Sequence, residues 1–268
     1  VRLLTFNTQL LGFYQFKKNK TIRDQNVALL ESLKTDIFCF QEFYKTDNPK
    51  GFQTLSLLQE QMGPFEVHEK YTHEFVHKQY FGVVTLSRFP IVFRGYIPFE
   101  ADINNFCIYS DILLPSADTI RVFNAHLASI HFRPDDYAFT RGEFDDFSSF
   151  ESGFKQVRYK LEEADRRRSM QINRILEEVE KSPYPVIFAG DLNAPPFSNA
   201  YYKASQSLKD AFQSGGFGIS ATYKSKLPLL RIDHVFHDER IDLKRFDRIK
   251  RGGSDHYPIL IEFDISDD

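Results

Sequence analysis

Val186-Ile187-Phe188-Ala189-Gly190-Asp191-Leu192-Asn193 is the stretch that most limits what this chain can become. A short apolar run bounded by turn residues reads as a buried strand. Gly190 lets the backbone turn or approach a neighbour closely. Asp191 and Asn193 then stand at the carboxyl end of the strand. Residues two apart on an extended chain point the same way, so a carboxylate and an amide share one side where the strand leaves the core. That pair suits phosphate, metal or water. A strand followed by a turn that Asp and Asn cap explains the same residues equally well, and the rest of the chain has to decide.

Other apolar runs repeat the pattern. Val1–Phe6, Asp36–Phe40, Phe65–Tyr71, Phe81–Ser87, Ile91–Phe99, Asn105–Leu114, Thr119–Ala125, Arg231–Phe236, Leu243–Ile249 and Ile259–Phe263 read as strands separated by turn signals. Thr21–Lys34, Phe52–Met62 and Lys155–Lys181 read as helices, the last stopped by Pro183 and Pro185. No repeat and no linker interrupts 1–268, which is expected to form one domain. Two sheets packed face to face, with helices outside, fit this order. The core is aromatic, with 28 Phe and 13 Tyr but no Trp. A formal charge of −3 gives no general attraction to nucleic acid, which leaves a basic footprint. Cys39 and Cys107 lie inside apolar runs and are expected to be buried free thiols.

Several runs end in a polar residue: Asn7, Glu42, His126 after Asn124, Asp191 with Asn193, Asp233, and Asp255-His256 just before the last strand. Loops held by a rigid scaffold are where binding and catalytic groups sit. One at a time, each has an ordinary structural role as a turn former, a surface charge or a half-buried histidine.

As a set they resemble the endonuclease/exonuclease/phosphatase superfamily, the group of deoxyribonuclease I, abasic-site endonucleases, neutral sphingomyelinases and inositol-polyphosphate 5-phosphatases. The resemblance rests on Thr5-Phe6-Asn7, Phe40-Gln41-Glu42, Thr85-Leu86-Ser87-Arg88-Phe89-Pro90, Asn124-Ala125-His126-Leu127, Gly190-Asp191-Leu192-Asn193, Arg231-Ile232-Asp233-His234 and Ser254-Asp255-His256-Tyr257-Pro258, in family order across nearly the whole chain. It implies an α/β four-layer sandwich of two mixed, mainly antiparallel sheets flanked by helices, with the site at one mouth between the sheets. It also implies metal-assisted hydrolysis of a phosphate ester by an activated water, as in a phosphodiesterase or nuclease. A lipid-headgroup phosphodiesterase or a sugar or inositol phosphatase on the same fold stays open. So does an inactive binding domain, although complete motifs argue against decay.

In such a reaction a divalent cation neutralises charge on the phosphate oxygens. Mg²⁺, with Mn²⁺ as its substitute, needs hard oxygen ligands; the resemblance implies Glu42 first, then Asn7 through its amide oxygen and Asp255. Asp191 would accept a proton from the attacking water or orient it. Asn193 would donate to the phosphate or hold that water. His256 would bind phosphate as imidazolium or serve as an acid/base group, with Asp233 holding its tautomer. His126 would be a second donor to the phosphate. Arg88 is a candidate phosphate contact, with a structural role equally available. Gln9 stands where abasic-site endonucleases carry an acid, and His126 where they lack a histidine, which argues against abasic-site repair.

The partner expected is a phosphate ester, whether nucleic acid, lipid headgroup or small molecule. Related domains in some bacterial proteins follow membrane-spanning segments, so membrane association through a segment before Val1 is left open, and with it the compartment. The aromatic segment His131–Phe154 is expected to pack its rings on the sandwich edge, with a lid over the site as the alternative. Lys244, Arg245, Arg248, Lys250 and Arg251 either draw an anionic substrate to the mouth or form a solvated face.

Overall fold

The computed structural model describes residues 1–12, 21–49, 51–72, 78–100, 102–130, 147–218, 220–224 and 230–266. Among the described residues twelve strands form two six-stranded sheets. One sheet runs β11(Ile241–Arg248)-β12(Ile259–Ile265)-β1(Arg2–Asn7)-β2(Ile37–Thr46)-β4(Gln79–Ser87)-β3(Glu66–Tyr71). The other runs β5(Ile91–Phe99)-β6(Asp102–Leu113)-β7(Thr119–His126)-β8(Val186–Asp191)-β10(Asp233–His237)-β9(Lys209–Asp210). Each sheet has one parallel pair at its centre, β1 with β2 and β7 with β8; every other pairing is antiparallel. Helices α1 (Thr21–Ser32) and α2 (Thr54–Met62) cover the first sheet. Helices α3 (Phe147–Glu180) and α4 (Asn199–Ser207) cover the second, and the short α5 (Ala211–Gly215) follows β9. This is the deoxyribonuclease I-like α/β sandwich.

The period of two along each strand sorts side chains into layers. Leu3, Ile37, Cys39, Val122, Ile187, Ala189, Val235 and Ile261 meet between the sheets. Their neighbours face outward: Leu4, Phe6, Phe38 and Phe40 pack under α1 and α2, and Phe123, Ala125, Phe188 and Phe236 under α3 and α4. Burying a side chain of this size is worth about 1.5–3 kcal/mol, and both faces of the central strands are used. The large demand for Phe follows. Cys39 and Cys107 are buried and free, and burial pushes both thiols up, so neither is a nucleophile at neutral pH.

The same period sets the site. The inward positions 3, 5, 7 of β1 read Leu, Thr, Asn; 37, 39, 41 of β2 read Ile, Cys, Gln; 122, 124, 126 of β7 read Val, Asn, His; and 187, 189, 191 of β8 read Ile, Ala, Asp. All turn from apolar to polar toward their carboxyl ends, and parallel pairing puts those ends together. β10 and β12 run antiparallel to β8 and β1, so their amino ends, with Asp233 and Ser254–His256, come to the same mouth.

Two elements differ most from the sequence reading. β2 does not end at Phe40 but passes through a bulge and continues to Thr46. α3 begins at Phe147 rather than Lys155. Phe150, Phe154, Val157, Leu161 and Ala164 recur at i, i+4, i+7, i+11 and i+14, so the end of the aromatic segment carries a helical period after all. Of that segment, 131–146 lies outside the described residues, so neither the packing nor the lid expectation is decided. No helix among the described residues is long and apolar enough to cross a membrane.

Candidate active site

A buried polar layer floors the mouth. Gln41 Nε2 donates to Asn124 Oδ1 across the sheets at 2.7 Å and to Thr5 Oγ1 at 3.1 Å. Asn124 Nδ2 donates to Val84 O at 3.0 Å and Thr85 Oγ1 at 3.2 Å. Buried amides need such partners, and here the partners lie on both sheets, so the layer fixes the sheet spacing directly below the site. Gln41 was not among the residues singled out from sequence. Its signal was the inward parity it shares with Cys39.

Above this floor Asn7 Nδ2 donates to Asp191 Oδ2 at 2.9 Å and to Glu42 Oε1 at 3.2 Å. Glu42 reaches this position because β2 bulges between Phe40 and Phe43, with Glu42 at φ 47. A bulge re-aims a side chain that strict alternation would send outward. Thr8 Oγ1 holds the bulge by donating to Glu42 O at 3.0 Å. Asn7 is thus at the site but oriented against the expectation: its amide oxygen accepts from Gln9 N at 3.1 Å, while its NH₂ sits between two carboxylates. Two acceptor-only groups call for a donor, so the amide turns its nitrogen to them. In this conformation Asn7 is not an oxygen ligand for a cation.

Asp191 is 1% exposed. Its Oδ1 accepts from Asn193 N at 2.8 Å, and its Oδ2 lies 3.8 Å from His126 Nε2 and 3.8 Å from His256 Nε2. Burial, and then Asp233, raise its pKa; the two histidines and Asn7 oppose that rise. His126 Nε2 is also 3.8 Å from Glu42 Oε1. Asn193, at φ 49, donates its side-chain nitrogen to Leu127 O at 3.0 Å, locking the Asp191 turn to the end of β7.

His256 and Asp233 form a buried pair, Nδ1 to Oδ2 at 2.8 Å. Burial disfavours the charged ring, yet Asp233 and Asp191 outweigh it and lift the His256 pKa to about 10. The imidazole is therefore charged at neutral pH, with Nε2 turned to Asp191. Ser254 Oγ donates to Asn7 O at 2.8 Å and accepts from His256 N at 3.0 Å, which ties this loop to β1. Asp233 is held through its backbone N to Thr222 Oγ1 at 3.0 Å, and its Oδ1 is buried without a partner. Asp255 stands at the rim; burial raises its pKa, and Glu42 adds to the rise against the charge of His256.

Asp191, Asp233 and His256 are close enough to share a cation, their ligand atoms all lying within 4.8 Å. A charged imidazole has no lone pair to offer, however, and its Nδ1 already serves Asp233. The more open carboxylates, Glu42 and Asp255, with side chains 32% and 33% exposed, offer hard oxygens from either side of β1 in the same sheet. Four carboxylates converging here make a donor set that fits a divalent cation.

Arg88 is not brought to this mouth, correcting its assignment as a phosphate contact. Ser87 pairs with Ile37 at the far end of β2, some 16 Å of strand from Glu42. Arg88 donates to Thr35 O and Met62 O and lies over the Phe65 ring, so it staples α2 to the sheet. Of the basic group, Lys244 pairs with Asp242 and Arg245 with Asp247, while Arg248 donates to Ala221 O. Lys250 and Arg251 stand exposed beside the Ser254–His256 loop. Arg168 and Gln171 of α3 were also missed from sequence. Both are buried behind the end of β7, at positions that continue the apolar stripe of Ala164 and Ile175. Polar residues on such a stripe were the available signal.

A family model described as Endonuclease/Exonuclease/phosphatase family matches residues 4–256. No curated protein matches. Among solved structures, an endonuclease/exonuclease/phosphatase from Beutenbergia cavernae superposes with a TM-score of 0.73 at 17% identity, covering 99% of this chain and 71% of that one. A mannosyl-6-phosphatase from Bacteroides thetaiotaomicron superposes with a TM-score of 0.70 at 14% identity, covering 99% and 100%. The human Nocturnin catalytic domain with bound sulfate gives 0.68 at 18% identity, covering 99% and 93%. At these identities the structural likeness establishes the fold alone.

Proposed function

The chain belongs to the endonuclease/exonuclease/phosphatase family, and from that premise we propose that it is a divalent-metal-dependent phosphoesterase that hydrolyses its substrate by in-line attack of water. The observation that carries this reading is the convergence of Asp191, the Asp233–His256 pair, His126 and Glu42 on one mouth, with Asp191 3.8 Å from both imidazoles.

Asp191 is the group to orient the water and take its proton. Its carboxylate is held on one oxygen by Asn193 N and on the other by Asn7, so it cannot swing away. Its raised pKa makes it a better base than an exposed carboxylate. His256, charged and held by Asp233, presents an Nε2–H donor to the phosphate oxygens where charge develops. His126 presents Nε2 from the opposite sheet, so the two rings flank a phosphate seated over Asp191. Glu42 and Asp255 would hold the cation, Mg²⁺ or Mn²⁺, which when bound would neutralise phosphate charge. A phosphodiester, as in a nuclease, is the substrate class the motifs favour. A mannosyl-6-phosphatase on the same fold makes sugar phosphates part of the test.

The test is a panel of plasmid DNA, RNA, sphingomyelin, inositol and sugar phosphates and a bis-aryl phosphodiester, each with Mg²⁺ and with chelator. Chelator-sensitive hydrolysis of at least one is expected. Hydrolysis of none, or hydrolysis indifferent to chelator, would overturn the reading.

A further inference from the structure

The end of β7 carries His126, and each backbone polar group of the turn that follows is held by a neighbour. His126 O accepts from Asn105 Nδ2 at 3.1 Å. Leu127 N donates to Asp191 O at 2.9 Å, and Leu127 O accepts from Asn193 Nδ2. The Ala128 peptide is claimed by α3: its N donates to Gln171 Oε1 at 2.9 Å, and its O accepts from Arg168 Nη1 at 3.3 Å. Gln171 also donates to Asp102 Oδ2 at 3.0 Å, on the strand paired with β7. Arg168 is 3% exposed and Gln171 5%.

A buried guanidinium is costly, and one in a purely structural place is expected to use its donors. Among the described residues Arg168 makes a single hydrogen bond, to Ala128 O, and its Nε is buried without a partner. The negative charges that act on it are those of Asp165, one turn back on α3, and Asp191. Packing alone would favour Leu or Met at this stripe position. A cation behind the Asp191 turn, fixed to the peptide two residues after His126, serves the site instead.

We propose that Arg168 and Gln171 are positioning residues for the reaction: they clamp the Ala128 peptide from α3 and thereby aim His126 at the phosphate and steady the Asp191 turn that Asn193 ties to Leu127. The seating of the long helix then sets the geometry of the mouth. A misplacement of about 1 Å at a reacting group is enough to cost about a hundredfold in rate.

The experiment compares Arg168→Met, Arg168→Lys and Gln171→Met with Ile175→Ala, a buried apolar change on the same helix that removes no hydrogen bond to the turn. Steady-state kinetics on a panel substrate are paired with ¹³C-histidine spectra that resolve the His126 ring. Both Met variants should lower kcat roughly ten- to a hundredfold with KM within about threefold. Arg168→Lys should recover most of the loss, and the His126 resonance should shift in both Met variants and return with Lys. Ile175→Ala should lower Tm and leave kcat alone below it. The inference is overturned if kcat in the Met variants stays within about twofold of wild type, or falls only as much as in Ile175→Ala at matched stability. If Arg168→Met does not fold, Gln171→Met, which keeps the buried charge, decides alone. The kinetic arm rests on the phosphoesterase reading. If the wild-type protein hydrolyses nothing, that reading fails, and an unmoved His126 resonance would separately overturn this one.

Discussion

Replacing Asp233 by Asn keeps the shape of the residue and removes the charge that faces His256 at 2.8 Å. Burial alone would leave this histidine neutral, and Asp233 with Asp191 lifts it from 6.5 to about 10. That gap corresponds to about 5 kcal/mol in favour of the charged ring. Removing one partner of a buried charged pair costs about 3–5 kcal/mol, which would bring the ring's titration down to roughly 6–8. The assay is a pH titration of the His256 ring by ¹³C-histidine NMR in both proteins. Wild type should hold its proton to beyond pH 9, and Asp233→Asn should release it near neutrality. The linkage has a definite sign. Because the folded pKa lies above the unfolded one, the pair's stabilisation is fully present below pH 6.5 and is lost as pH rises through about 10. Wild-type Tm should therefore fall across that window, and the fall should be shallower in the variant. A wild-type ring that titrates near 6.5, or a variant that titrates where wild type does, would refute the reasoning.

Other outcomes follow from the same geometry. Gly190→Ala should destabilise the fold by roughly 3 kcal/mol or more, because an added Cβ lies 2.1 Å from Ala125 O and Gly190 sits at φ +150; chemical denaturation within about 1 kcal/mol of wild type would contradict this. Glu42→Ala should abolish or sharply weaken Mg²⁺ and Mn²⁺ binding in a calorimetric titration while the fold persists, since its carboxylate is a third exposed at the mouth; unchanged binding would move the cation elsewhere, with the Asp191, Asp233 and His256 cluster the next place to look.

The strand-end residues were legible in the sequence because a period of two, once the strands are recognised, assigns each side chain a face. Asn7, His126, Asp191 and Asp233 all lie on the inward face by that rule; parallel pairing within each sheet brings the carboxyl ends of the central strands to the mouth, and antiparallel pairing with β8 brings Asp233 at the amino end of β10. Glu42 broke the rule: it reaches the mouth through a bulge at φ 47, a local backbone choice that composition does not announce. Arg88 was misplaced for a different reason. Its motif closes β4, and only the antiparallel pairing of β4 with β2 shows that this end lies away from Glu42. The amide orientation of Asn7 depends on which acceptors surround it, a matter of three-dimensional company. Arg168 and Gln171 were hidden inside a charge-rich helix, where one polar face looks like another until the partner, the Ala128 peptide, is known.

The central claim is that this mouth hydrolyses phosphate esters with Asp191 and His256 at its chemical centre. The most direct test is kcat for Asp191→Asn and His256→Ala on whichever panel substrate wild type cleaves, at saturating Mg²⁺, with Tm measured alongside. Each variant should be folded and slower by a factor of about a hundred or more, the scale of acid–base contributions. Wild-type rates retained in both would contradict the account.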